Sequence, residues 1–576
     1  MKNINLLFFS FLLFSTSNIS QTPQNRLKTQ FGLPFSIKND EGHILGSDSL
    51  GLYIFRFEIG LGGAETVWLS RSSLDRLQVM RESKVRMSHG AYFEKVALIK
   101  GNLYLFTSKR NEAGDKDVLY AQSINPSTLQ PQTHLQKIAE TIRSAKDYCN
   151  NFGLQTPSSS PEFHIALSKD TSKLLVMTAF VPSKIEKGVL SFTVLNSDLK
   201  ALWSKEYVLP YTKGLFELEE YQVDNLANIY TLGRLYAINT SFAKKGKPNY
   251  SYVLNRYTPN ADAPNSAKIS DPNKFMYQLR IRYDGAGDYG CIGFTANEPE
   301  TYSPLSSVIR SFSSGSISGV YCLTIDGKTN AVVSEQKADF STDFLTDGLT
   351  EGVKNNALKR IAKGKDLDYF SNFCLNEVIE RKDGGFVLIA EQSATADNPR
   401  NRRYGELVGF KNRKGYHYYN DYDVSSGIGA QNADIILVAL NASGKIDWER
   451  RLFKRQATSD IYEKQAYSYS VAVTNNQIHI ICNVDPLTMN SSFNQSTYKT
   501  TSRIHWTPMW TSFDFKTGHG GSTVIAKKAD TDLTYLTTSA IQTGENELTM
   551  LARKESTEQF ISKLIFMEPP VSTTQR

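Results

Sequence analysis

The 576-residue chain reads as all-β, assembled from one four-stranded antiparallel unit used many times. Three observations predict this. Apolar, β-branched runs of strand length recur along nearly the whole sequence. Short polar turns rich in Asp, Asn and Gly separate them, which is hairpin chemistry. The phrases also return in the same order at similar spacing, which marks an internal repeat rather than a single sheet.

The clearest unit runs from Asn376 to Phe453. Its first hairpin, "NEVIERKDGGFVLIAEQ", turns at Asp383-Gly384-Gly385, and its second, "DIILVALNASGKIDWERRLF", turns around Gly444. An earlier phrase, "FTVLNSDLKALWSKEY", repeats the second hairpin with Trp203 standing where Trp448 stands, and "FHIALSKDTSKLLVMTAF" precedes it as the first. Further second strands read "KGNLYLFTS", "DNLANIYTLG", "NNQIHIICNV" and "GENELTMLAR"; further third strands read "DVLYAQSIN", "GVYCLTIDGK" and "MWTSFDFKTG". With "DSLGLYIFRFE" and "ETVWLSRSSLDRLQ" near the start, the count reaches eight units, with seven as the alternative. Units of fixed order that must bury one another's faces predict a single β-propeller of four-stranded blades. The phrases "DGGFVLIAE" and "DIILVALNASGKIDW" resemble the blade repeats of β-propeller proteins secreted by bacteria. That resemblance is strongest over Asn376 to Phe453, and it implies a fold rather than an activity.

The ends carry their own signals. Residues 1–20 combine Lys2, an apolar core from Leu6 to Phe14 and small residues up to Ser20, the pattern of a secretory signal peptide, too short for a membrane span. The expected mature protein is exported, periplasmic or extracellular, with a propeller over 21–567 and a polar tail over 568–576. The last unit supplies three strands and then reaches Glu-Pro-Pro, whereas residues 25–35 precede the first unit with nothing of their own to pair with. The expected solution is that 25–35 fills the missing outer strand of the last blade and removes an open edge.

Composition narrows the function. Hydrophobic residues make up 40% and charged residues 21%, which suits a packed globular chain. The net charge of +7 is spread over 65 basic and 58 acidic side chains, a mixed surface that argues against nucleic acid as a partner. No later stretch is long and apolar enough to span a membrane. Five cysteines, Cys149, Cys291, Cys322, Cys374 and Cys482, lack CxxC spacing; a Cys291–Cys322 disulfide and buried free thiols both remain open. No metal-ligand spacing or cofactor motif is present, so neither a metal nor a cofactor is expected. The GxGxxG match at Gly285–Gly290 reads as a turn, because a strand rather than a helix follows it.

A compact blade needs roughly 40–45 residues, so the excess falls into second-to-third-strand loops and inter-blade connections. Strand reversal puts all of these on one face of the disc. Within the inter-blade stretches, "LQKIAETIRSA" places Leu135, Ile138, Ala139 and Ile142 at helical spacing, and "LTEGVKNNALKRIAKG" does the same with Leu349, Val353, Ala357 and Ile361. Two short helical insertions are therefore expected.

The richest loop, Asn398 to Asp423, combines Arg400, Arg402 and Arg403 with Tyr404, Tyr416, His417, Tyr418, Tyr419 and Tyr422. Tyrosine and arginine supply rigid contact area, stacking faces and fixed donors, the composition of binding hot spots. His505 and Trp506 extend this candidate surface, and Trp510 is expected in the core. The reading that follows is an exported, non-catalytic propeller that holds a protein or cell-envelope component, glycan included, on its loop-bearing face. A carbohydrate-active hydrolase or lyase using carboxylates such as Asp421 and Asp423 is the alternative.

Overall fold

The computed structural model describes residues 27–36, 42–59, 65–142, 163–180, 187–212, 215–237, 247–284, 287–299, 315–393, 430–454, 456–458, 466–484, 506–525, 533–554 and 558–567. Eight antiparallel sheets follow one another along the chain; their strands run from axis to rim as they occur in sequence, except that the outermost strand of the last sheet comes from the start of the chain. The protein is an eight-bladed β-propeller, and the count of seven is excluded. The innermost strands of blades 1 to 8 are Gly42–Asp48, Tyr92–Ile99, Phe163–Leu167, Phe216–Val223, Phe275–Tyr283, Phe373–Glu380, Tyr469–Val473 and Leu533–Gly544.

The core lies between the blades. Along Phe386–Ser393, residues Phe386, Leu388 and Ala390 pack toward blade 5, while Val387 and Ile389 pack toward blade 7. The neighbouring strand Ala430–Leu440 divides in the same way, with Ile436 and Val438 on one side and Ile435 and Leu437 on the other. A strand buried on both faces needs an unbroken apolar run instead of alternation, which is why the middle strands are the most legible phrases in the sequence. Apolar layers of this kind repeat around the disc and include one that joins blades 8 and 1 through Leu551, Ile561, Ile44 and Ile54.

Trp203 and Trp448 occupy equivalent outer-strand positions, and each indole N–H donates to the next blade, to Ala227 O at 2.9 Å and Phe515 O at 3.0 Å. Gly518 gives Trp448 its room: its φ is +62°, and a Cβ there would lie 2.5 Å from the indole. Leu27–Phe31 pairs antiparallel with Glu558–Phe566, in a register running from Leu27 opposite Phe566 to Phe31 opposite Ser562. The first described strand thus forms the outer edge of blade 8.

Two expectations change. The segment Gln136–Ile142 is a strand, not a helix, and supplies the outer strand of blade 2. A bulge between Lys137 and Ala139 interrupts its alternation, so Ile138 and Ala139 both reach the blade 2–3 layer. A bulged strand therefore mimics one turn of helical spacing. The two helices among the described residues, Thr342–Thr346 and Glu351–Ile361, both belong to the connection between blades 5 and 6. There Ala357 is buried and Leu349 and Ile361 pack beside it, whereas Val353 stays 36% exposed. Cys291 and Cys322 are free thiols. Cys291 sits opposite Leu323 and Cys322 opposite Ile292, a one-residue offset that sends the two side chains into different inter-blade layers.

Candidate functional site

Each strand reverses direction, so the long second-to-third-strand and inter-blade connections leave one face of the disc. On that face the innermost strands begin and the second strands end. Bulges interrupt the innermost strands close to this end, between Phe93 and Lys95, Leu218 and Glu220, Tyr277 and Arg280, and Leu375 and Glu377. A bulge re-aims the extra residue, and four of the five residues displaced here are polar, Glu94, Glu219, Gln278 and Asn376, with the buried Leu279 as the fifth.

Polar side chains at and beside these bulges, and on the neighbouring strands, tie one blade to the next. Lys95 Nζ donates to Ile165 O of blade 3 at 3.1 Å. Glu220 accepts from Ile281 N of blade 5 at 2.6 Å, and Arg280 donates to Leu375 O of blade 6 at 2.7 Å. Gln278, held at a φ of +51°, donates to Phe373 O at 2.6 Å. Between blades 6 and 7 the carboxylate of Glu391 meets Lys454 at 2.5 Å with both side chains fully buried, and Ser468 Oγ donates to the other carboxylate oxygen at 2.6 Å. Asn483 continues the chain to Tyr535 O of blade 8 at 2.7 Å. Buried charges of this kind are tolerated only with such partners.

Blade 4 carries a different arrangement. Arg234 is buried against Glu219 at 3.1 Å, with its guanidinium 4.6 Å from the Tyr250 ring and 5.4 Å from the Tyr252 ring. Above it on the loop-bearing face, the half-buried Tyr236 packs edge-on to Tyr250 at 6.0 Å and donates to Glu217 at 3.3 Å. Tyr211 of blade 3 stacks on Phe216 at 5.3 Å beside them. Aromatic faces fixed from below by a buried cation, with a carboxylate at their edge, form a rigid polar and aromatic patch. Sequence reasoning missed it, although eight of the 29 tyrosines lie between Tyr207 and Tyr257.

At the opposite face the axis is crossed. Lys169, in the turn between the first two strands of blade 3, reaches Glu380 of blade 6 at 3.5 Å and lies 5.0 Å from the Tyr283 ring of blade 5.

Arg400, Arg402, Arg403, Tyr404, Tyr416, His417, Tyr418, Tyr419, Tyr422 and His505 lie outside the described residues, as do Asp421 and Asp423 and the 1–20 leader. Trp506 is only 1% exposed and packs edge-on to Tyr467 at 4.5 Å in the layer joining blades 7, 8 and 1. Its role is packing, because the indole begins the third strand of blade 7 and points between blades rather than outward. Trp510 is buried as expected, donating to His479 Nδ1 at 3.1 Å. Among the described residues no group of three or more His, Cys, Asp or Glu side chains is placed to hold a metal ion, and no helix is long and apolar enough to cross a membrane.

The class of protein defined here is the eight-bladed β-propeller with a decorated face. No family model matches the chain, and no curated protein does. Among solved structures it is similar to the polysaccharide lyase Uly1, at 9% identity over 94% of this chain and 100% of that one, with a TM-score of 0.39. It is also similar to the WD40 domain of SCAP from fission yeast, at 9% identity over 94% of this chain and 95% of that one, TM-score 0.33. A third is the β-propeller domain of the Trilobed protease from Pyrococcus furiosus, at 8% identity over 84% of this chain and 92% of that one, TM-score 0.31. Likeness at these identities concerns fold alone.

Proposed function

We propose that the protein is an exported binding propeller that recognises a glycan-bearing cell-envelope component through its loop-bearing face. The observation that carries this reading is the blade 4 patch of Tyr236, Tyr250, Phe216 and Glu217 over the buried Arg234. Rigid aromatic faces beside a fixed carboxylate suit the flat faces and hydroxyl edges of sugars, at little conformational cost. The Arg- and Tyr-rich segment 398–423 leaves the same face from blade 6 and belongs to the proposal as a second contact.

Capture of envelope material from the producing cell tests it, using the mature chain, a Tyr236→Ala/Tyr250→Ala variant and a variant with 398–423 shortened. The expected result is retention of a glycan-bearing component by the mature chain and its loss, by tenfold or more, in the tyrosine variant. Equal capture by all three removes the assignment of this face. The second reading, a carbohydrate-active enzyme, draws on Glu377, whose carboxyl lines the axis. Burial pushes its pKa up, and Arg280 opposes the shift. Release of reducing or unsaturated ends from envelope polysaccharide, abolished by Glu377→Gln, would favour that reading over binding alone.

A further inference from the structure

The connection between blades 5 and 6 places a run of lysines on the loop-bearing face. In the helix Glu351–Ile361, Ala357 is buried against the disc with Ile361 packed beside it, so Lys359 on the opposite side points to water and Lys354 lies half-exposed at its flank. The helix ends in a fixed turn. Gly364 holds a φ of +66°, its N–H donates to Ile361 O at 2.9 Å, and Lys365 N donates to Arg360 O at 3.1 Å. Lys363 and Lys365 are left exposed on either side of that glycine. Among the described residues none of these four lysines makes an ion pair, not even with Glu351 at the start of the helix, whereas Arg360 takes up the nearby acids, Asp368 at 3.1 Å and Glu298 at 3.5 Å.

This run adjoins the blade 4 patch through a chain of directed contacts. The Asp366 carboxylate, just past the turn, accepts from Asn297 N at 2.7 Å and from Glu298 N at 2.8 Å, both in blade 5. Glu298 O accepts from the Tyr277 hydroxyl at 3.2 Å, and Tyr277 shares an apolar cluster with Phe275 and Tyr250. Tyr250 in turn donates to Met276 O at 2.9 Å and carries Tyr236 on its edge. Lys247, exposed and likewise without an ion pair among the described residues, stands three residues before Tyr250. Tyrosine faces and uncompensated cations therefore form one tract across blades 4 and 5 to the helix.

We infer that this tract binds a polysaccharide bearing anionic substituents, with sugar rings against Tyr236 and Tyr250 and the negative groups met by Lys247, Lys354, Lys359, Lys363 and Lys365. Unpaired charge of one sign on an ordered surface attracts a polyanion, and a repeating chain engages several such weak contacts at once. A lipid surface fits less well. The helix turns its apolar side to the disc and leaves only Leu358 at 37% exposure and Val353 at 36% to enter a bilayer. The inference rests on the glycan reading above and adds the charge class of the ligand.

The test is isothermal titration of the full chain with polygalacturonate, dextran sulfate and neutral dextran, with polyglutamate and phosphatidylglycerol vesicles as anionic probes that carry no sugar polymer. Polygalacturonate or dextran sulfate is expected to bind about tenfold or more tightly than dextran, polyglutamate and the vesicles, with an affinity that falls as salt rises. Lys354→Gln/Lys359→Gln/Lys363→Gln/Lys365→Gln is expected to weaken that binding about tenfold and to flatten its salt dependence, with the melting temperature unchanged within a few degrees; Tyr236→Ala/Tyr250→Ala is expected to weaken it as well. Equal binding of polyglutamate or of the vesicles overturns the inference, because charge alone or a membrane would then be what the lysines meet. Binding of neither anionic polysaccharide also overturns it. Envelope capture that survives the lysine variant but is lost in the tyrosine variant overturns the anionic assignment and leaves the glycan reading of the face standing.

Discussion

At the scale of single residues, His479 shows how a titratable side chain becomes scaffold. Nδ1 accepts from Trp510 at 3.1 Å, Nε2 faces Thr474 Oγ1 at 3.3 Å, and the ring stacks on Phe566 at 4.0 Å. That pattern requires the neutral imidazole, with its proton on Nε2. Burial accordingly lowers its pKa to about 3. The folded group then binds fewer protons than the unfolded one between pH 6.5 and 3, so stability is full above the ordinary histidine value and falls with pH below it. By pH 4.5 the loss from this residue is on the order of 2–3 kcal/mol. Urea unfolding of wild type and His479→Gln at pH 7 and pH 4.5 is expected to show a smaller pH-dependent loss in the variant.

At the scale of elements, strand type followed burial. Middle strands buried on both faces were legible as continuous apolar runs, and Phe386–Ser393 and Ala430–Leu440 appear where their phrases stand. Outer strands face water on their free edge and carry weak patterns, which is why Gln136–Ile142 was misread. Its bulge placed apolar residues at helical spacing, and hydrogen bonding to Lys116–Asn125 overrode the local preference. The edge strand Leu27–Phe31 hides the hydrogen-bonding edge of Glu558–Phe566. A chain that begins at residue 37 is expected to have a thermal midpoint several degrees lower and to show concentration-dependent association, read by differential scanning and light scattering.

At the scale of the molecule, the apolar layers link neighbouring blades around the disc, including blades 8 and 1. No blade buries both faces alone, so separate blades have no stable folded state. Unfolding followed by tryptophan fluorescence, which reports the junctions at Trp203, Trp448 and Trp506, and by far-ultraviolet dichroism, which reports the strands, is expected to give coincident transitions. Separate midpoints would show that the ring opens blade by blade.

The sequence by itself determined the architecture in outline: a propeller of four-stranded repeats, with eight favoured over seven, the turns at Asp383 and Gly444, and the face that receives the long connections; the structure fixed the count at eight. Repetition makes this legible, because every blade meets the same packing demand and so repeats the same local pattern. Tertiary structure decided which polar residues meet. Glu220 and Arg280, Glu391 and Ser468, and Tyr469 and Glu377 belong to different blades and lie 60, 77 and 92 residues apart. No local period records such encounters, since they depend on bulges and on how each inner strand sits against its neighbour. The Trp506 indole shows the same limit from the other side. Its sequence neighbours placed it on a binding surface, and the meeting of blades 7, 8 and 1 enclosed it.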